Sequence, residues 1–154
     1  MEEAGIYARE LAGIDRIVQV GVAGGRVLQV SFPAEPAPEA APEHDLLEDL
    51  EDYLERGDPE SLERWRVALT VPTDQRAILE QLRAIPPGQS VSVASLAGMT
   101  PGLDGDEDAD REAVRGALAA NPAPILIPDH RVTGAAGATP SDVRASLRRL
   151  EGIE

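Results

Sequence analysis

Apolar and polar residues alternate in the first third of the chain. Ile17, Val18, Val20 and Val22 run up to Ala23-Gly24-Gly25, and Val27, Leu28, Val30 and Phe32 run away from it. A period of two puts one strand face in a core, and paired glycines accept the positive φ of a tight turn, so the pattern predicts a β-hairpin. Ile6 to Leu11 is a candidate third strand. Pro33 to Pro42 holds four prolines. They lack the N–H donors a ladder needs, so this stretch reads as a loop. The period then changes: Leu46, Leu47, Leu50, Tyr53 and Leu54 share one face of a helix over His44 to Arg56, and Gly57 is placed to stop it. Leu62 and Trp65 are expected beneath this helix, and Val67 to Val71 is a candidate short strand.

Helical spacing dominates from Thr73 onward. Thr73 or Asp74 can cap a helix to about Ala84 with Ile78, Leu79 and Leu82 inward, broken by Pro86-Pro87-Gly88. Ser92 can cap a short helix through Leu96 to Gly98. After an acidic loop from Gly102, Asp110 can cap a helix carrying Val114, Ala117 and Leu118, which ends before Asn121-Pro122. Ile125-Leu126-Ile127 reads as a short strand, and Val143 to Glu151 as a last helix with Val143, Leu147 and Leu150 inward. The expected fold class is therefore α/β in the α+β sense. A small three-stranded antiparallel sheet with a helix, ribonuclease H-like, spans 1–72, and a winged helix-turn-helix domain spans 73–154. The order of helices alone is a weak pointer to a winged helix, because many small helical domains share it.

Composition narrows the function classes. The chain has 154 residues, no cysteine, and 28 acidic against 14 basic residues, all of the latter arginine, for a net charge of −14. Without cysteine there is no disulfide framework, thiolate metal site or cysteine nucleophile. No apolar run reaches the roughly 18 residues that suggest a membrane span. Met1-Glu2-Glu3 is acidic rather than basic-then-apolar, so no signal peptide is expected and a cytoplasmic location is the default. Strong acidity argues against phosphate partners in ordinary salt. A cytoplasm at molar salt screens charges within about 3 Å, and proteins working there carry many carboxylates and few lysines, so a halophilic origin accounts for the same numbers. Richness in Ala, Gly and Pro with arginine as the sole cation also fits a high-GC genome. The charge is lopsided: residues 1–72 hold 6 arginines against 16 acids, residues 73–154 hold 8 against 12. A nucleic-acid face on the second half would leave that imbalance, and so would exposed helices that simply carry arginine.

The most specific stretch is Asn121-Pro-Ala-Pro-Ile-Leu-Ile-Pro-Asp-His-Arg-Val132. It resembles the active-site segment of the O6-alkylguanine-DNA alkyltransferases, which reads Asn-Pro, a short apolar strand, then Pro-Cys-His-Arg-Val. The family's cysteine is replaced by Asp129. Ile85-Pro86-Pro87-Gly88 with Ser92 and Leu96-Ala97 is similar to its Ile-Pro-x-Gly…Ser-Tyr-x-x-Leu-Ala, and Ala113 to Ala117 to its recognition-helix Ala-Val-Gly-x-Ala. Leu50 to Gly57 is similar to its N-terminal Leu-x-x-Tyr-Phe-x-Gly, and Glu151 to its closing Glu.

The resemblance implies a chemistry of single-turnover transfer: a helix enters the minor groove, the damaged base is rotated out, and a Glu-His pair activates a thiolate that takes the alkyl group. Carried over by position, His130 stands at the base, Glu151 at its carboxylate partner, Asn121 at the turn that orients the strand, and Asp129 at the nucleophile. The tyrosine after Ser92 is Val93. The intercalating arginine falls on Glu112, flanked by Arg111 and Arg115, and a one-residue slip turns a helical side chain by about 100°. The Tyr-Ser-Gly-Gly wall of the base pocket is missing between Thr139 and Val143. Alkyltransferase-like proteins, the non-enzymatic branch, put Trp or Ala in place of Cys and still bind alkylated DNA for excision repair. This chain is similar in lacking Cys, and departs from them in lacking the tyrosine and the arginine as well and in putting a negative charge in the pocket.

The implied DNA-contacting residues are Ser92, Arg111, Arg115, Asn121 and Arg131. No intact catalytic set, cofactor or metal is expected. Asp129 is either a working acceptor, for instance for an exocyclic amine, or the stopper of a dead pocket paired with Arg131 or His130; a buried carboxylate needs a partner in either case. His130 has only His44 as a companion histidine, which makes a metal site a poor reading beside a hydrogen bond to Glu151. Asp104, Asp106, Asp108 and Asp110 fail as a calcium loop: the sixth position is Ala109 rather than Gly, and the twelfth is Arg115 rather than Glu. The leading expectation is a monomer that binds double-stranded DNA, with alkylated guanine and repair proteins as possible partners and no membrane association. A structural or interaction protein that lost DNA is the alternative, and residual enzyme activity the third.

Overall fold

A computed structural model describes residues 4–57 and 59–153. The acidic start at Met1 to Glu3 lies outside them. The chain divides into two compact units, Met1–Ala68 and Leu69–Glu154.

In the first unit, β1 (Gly5–Leu11), β2 (Arg16–Ala23) and β3 (Arg26–Ser31) form an antiparallel meander. Val18, Val20, Val22, Val27 and Val30 are buried, as alternation requires. Gly24 and Gly25 turn the hairpin at φ 59° and 76°. The sheet has four strands rather than three, because β4 (Arg66–Val67) adds in parallel beside β3. Of the expected strand over 67–71 only Val67 joins the ladder, with Arg66 before it, and Ala68 N then donates to Val27 O at 2.8 Å.

Helix α1 (Asp45–Arg56) buries Leu46, Leu47, Leu50, Tyr53 and Leu54. His44 caps it: Nδ1 accepts from Leu46 N at 3.0 Å. Gly57, at φ 76°, closes the other end by donating to Tyr53 O. Gly13 touches α1 so closely that a Cβ there would lie 2.8 Å from Leu54 Cβ. Behind α1 runs the short α2 (Glu60–Glu63). Asp49, on α1, accepts from Arg64 Nη2 at 2.6 Å and Trp65 Nε1 at 2.7 Å, which fixes the tryptophan against the helix.

The second unit packs α3 (Thr73–Arg83), α4 (Val93–Met99), α5 (Asp108–Ala119) and α6 (Ser141–Glu151). Ile78, Leu79, Leu82, Leu96, Val114, Leu118, Val143 and Leu147 are buried. Leu150 is only half-buried, at the end of its helix. Two helix starts differ from expectation. Pro72 precedes α3 without a side-chain cap, so Thr73 is already helical. α5 begins at Asp108, and Asp110, inside its first turn, instead accepts from Asp104 N at 2.8 Å. Ser92 does cap α4, accepting from Ser95 N at 3.0 Å. Strands β5 (Val91–Ser92) and β6 (Val132–Thr133) pair in parallel, so among the described residues this unit contains no hairpin wing.

The largest local correction is at Ile125-Leu126-Ile127. These residues are buried, but they form a turn, not a strand: Ile125 takes φ 77° and Ile127 N donates to Ala123 O at 2.9 Å. Positive φ is costly for a β-branched residue, about 1–3 kcal/mol. Asn121 offsets that cost by gripping both ends of the turn. Its Oδ1 accepts from Ala123 N at 3.0 Å and its Nδ2 donates to Ile127 O at 2.9 Å.

Candidate functional site

The turn held by Asn121 delivers a single 3-10 turn, Asp129–Arg131, between Pro128 and β6. All three of its side chains are buried. Asp129 is held by the 138–139 loop and Asn121, whereas His130 and Arg131 share Glu151, and His130 Nδ1 has no partner among the described residues.

Asp129 is 1% exposed and sits among donors. Oδ1 accepts from Thr139 Oγ1 at 2.6 Å. Oδ2 accepts from Asn121 Nδ2 at 3.0 Å, Ala138 N at 3.0 Å and Thr139 N at 3.3 Å. Its partners are therefore not Arg131 or His130, as expected, but an amide, a hydroxyl and two backbone N–H groups. Hydrogen bonds to a carboxylate are charge-assisted, which is how a buried anion is held without a cation. Gly137 closes the far side. A Cβ there would lie 2.6 Å from Asp129 Oδ2, so Gly137→Ala must push the carboxylate off its donors. The expected cost is about 2–3 kcal/mol, read from urea unfolding followed by far-ultraviolet circular dichroism.

His130 and Arg131 converge on Glu151, whose side chain is fully buried at the end of α6. His130 Nε2 lies 3.1 Å from Glu151 Oε2. Arg131 forks onto the same carboxylate, Nε to Oε1 at 2.9 Å and Nη2 to Oε2 at 2.7 Å, and its Nη1 donates to Ile85 O at 2.6 Å. Gly88 N adds a longer contact to Oε1 at 3.3 Å. The segment is also bolted to α6 from outside: Arg148 Nη1 donates to His130 O and Arg144 Nη2 to Val132 O, both at 2.7 Å.

The family model for the DNA binding domain of 6-O-methylguanine DNA methyltransferase matches residues 73–152, more than half of the chain. The chain belongs to this family. No curated protein matches the sequence. Among solved structures, the O6-methylguanine methyltransferase of Mycobacterium tuberculosis is similar at 19% identity and TM-score 0.69, over 98% of this chain and 94% of that one. M. tuberculosis OGT in complex with DNA aligns at 21% identity and TM-score 0.68, over 96% and 93%. The O6-methylguanine-DNA methyltransferase of Pyrococcus kodakaraensis aligns at 19% identity and TM-score 0.65, over 97% and 99%. At these identities the likeness establishes a shared mixed α/β fold.

Set in the family's positions, the expected residues divide into two groups. Asn121, Asp129, His130 and Glu151 come together in the interior of the second unit. The residues expected on DNA do not form one face. Arg131 is buried and spent on Glu151 and Ile85, because its carboxylate partner lies inward. Asn121 is also buried, with its amide consumed by the turn and by Asp129. Arg111 binds Gly105 O at 2.7 Å and pairs with Asp108. Arg115 lies on the exposed side of α5, 3.5 Å from Glu112. Ser92 is exposed, with its hydroxyl on Ser95. Val93, at the tyrosine position, is buried.

Sequence reasoning missed Thr139, Gly137 and Arg148. Thr139 had one available signal: a buried acid must find donors, and the small-residue segment after Gly134 is where they could approach. The two backbone donors leave no trace in side-chain identity.

Proposed function

We propose that this chain is a DNA-binding member of the alkyltransferase family that does not transfer alkyl groups. Residues 73–154 are the DNA-binding part and 1–72 the accompanying α/β part. The observation that carries the second half of this reading is the state of Asp129. Transfer needs a soft, exposed nucleophile in line with the alkyl carbon. A carboxylate is a harder and weaker nucleophile than a thiolate. Here both of its oxygens are taken up by donors other than His130, whose Nε2 engages Glu151 and whose buried Nδ1 has no partner among the described residues.

Membership of a family defined by its DNA binding domain supports double-stranded DNA as the partner, and a relative of this fold has been solved in complex with DNA. Recognition of alkylated guanine, hand-over to repair proteins and a monomeric state are the finer parts of the proposal. A saline cytoplasm reconciles a net charge of −14 with that role, because high salt screens the repulsion from phosphates. No helix among the described residues is long and apolar enough to cross a membrane.

Fluorescence anisotropy in molar KCl tests this reading, with a labelled duplex carrying one O6-methylguanine and an otherwise identical guanine duplex. The lesion duplex is expected to bind about tenfold more tightly, a difference of about 1.4 kcal/mol. Equal binding removes lesion recognition. Absence of binding across the salt range removes the DNA role. A second reading, an interaction protein that kept the fold, is favoured by one observation: Arg111 and Arg115 on α5 each stand beside an acid of the same helix. It predicts the last of these outcomes.

A further inference from the structure

Helix α6 presents a second feature, on a helix other than α5. Arg144, Arg148 and Arg149, with Ser141, line an open groove of about 440 Å³. Two of the three guanidinium groups are held in place by backbone carbonyls, Arg144 on Val132 O and Arg148 on His130 O. A carbonyl fixes a guanidinium without cancelling its charge. Arg144 Nε is buried and is without a partner among the described residues, which leaves a strong donor unused. Burial, and then the charge of Arg144, hold the pKa of Arg148 below its ordinary value. Glu151, on the same helix and bonded to Arg131 and His130, acts on Arg148 in the opposite direction but is outweighed. Arg149 is exposed beside the pair. Positive charge is thus concentrated and geometrically preset on one face of a strongly acidic protein.

We infer that this groove is a binding site for a phosphate-type oxyanion, gripped by Arg144, Arg148 and Arg149 with the Ser141 hydroxyl as a further donor. Guanidinium forks match tetrahedral oxyanions, and arginines whose rotamers are already fixed lose little entropy on binding. The inference does not depend on DNA binding through α5. The anion can come from a free phosphate compound or from the backbone of a nucleic acid.

The test follows the arginine Nε–Hε resonances of the full chain by NMR at constant ionic strength. Three probes are added in turn: inorganic phosphate, a short undamaged duplex and polyglutamate. Saturable shifts of the Arg144 and Arg148 signals with phosphate are expected. Arg149→Gln, which removes an exposed charge and no interior contact, should weaken binding about three- to tenfold with the circular dichroism spectrum unchanged. Saturation by duplex at lower concentration than by phosphate identifies a nucleic-acid backbone as the source, and saturation by phosphate alone identifies a small ligand. Shifts that rise linearly without saturating overturn the site. So does indifference to Arg149→Gln. Polyglutamate acting as well as phosphate overturns the oxyanion assignment.

Discussion

Glu151→Ala is expected to lower the stability of the second unit by about 3–5 kcal/mol, the cost of leaving a buried partner charge uncompensated. Among the described residues Glu151 is the acid bonded to Arg131, which is buried. Truncation removes both charge-assisted bonds of the fork and leaves one guanidinium donor on Ile85 O. It also strips His130 Nε2 of its contact and Gly88 N of its acceptor. Glu151→Gln keeps the shape and one acceptor, so its cost should be clearly smaller. The single tryptophan, Trp65, lies in the first unit and is a poor reporter. Urea unfolding read by far-ultraviolet circular dichroism follows the helices, of which α3 to α6 belong to the second unit and α1 and α2 to the first, so the loss is read from the transition that shifts. A loss below about 1 kcal/mol would place the pair among weakly contributing ion pairs and remove it as the anchor of the 129–131 turn.

The second large effect is expected at Asp129. Restoring the family's residue type with Asp129→Cys should destabilise the chain by about 2–3 kcal/mol, because a thiol is a weak acceptor placed among strong donors. The losses are unequal. Asn121 Nδ2 keeps Ile127 O and Ala138 N keeps Leu118 O, whereas Thr139 N and Thr139 Oγ1 both lose Asp129. Asp129→Asn should cost about 1 kcal/mol, since its carbonyl can take the Oδ2 position and the Thr139 hydroxyl can reverse to accept from the amide. Stability in the order wild type, Asn, Cys checks that Asp129 is a hydrogen-bond hub. The reverse order, with Cys the most stable, would mean that the carboxylate is a burden kept for another purpose.

Local rules made much of the fold legible. The β2–β3 hairpin follows from alternating valines and a Gly-Gly turn, and α1 from its leucine spacing and Gly57. Non-local pairing was not legible: nothing in Arg66-Val67 announces a parallel partner in β3. The apolar run at 125–127 shows the limit of periodicity, since a short buried run reads alike whether it extends or turns. What turns it is Asn121, several residues away, satisfying both ends. At the site, His130 and Glu151 could be placed by motif position, and they stand 3.1 Å apart. Arg131 misled because a charge beside a DNA-reading motif suggests an outward cation, while the energetics of this interior needed a counter-charge for Glu151. The partners of Asp129 were beyond reach for a related reason: two of them are backbone groups contributed by the loop at 138–139.

Composition also took on a sharper meaning. The absence of cysteine deprives a family member of its acceptor atom, and the structure fills that position with a carboxylate locked by its neighbours. Binding without transfer is the claim that this makes, and native mass spectrometry tests both halves at once. The protein is mixed with a duplex carrying a single O6-methylguanine, in a volatile salt, and the masses of the complex and of each released component are read. The predicted result is a protein–duplex complex from which the protein emerges at its unmodified mass and the oligonucleotide still carries its methyl group. A protein heavier by one methyl at Asp129, or no complex under any salt condition, would contradict it.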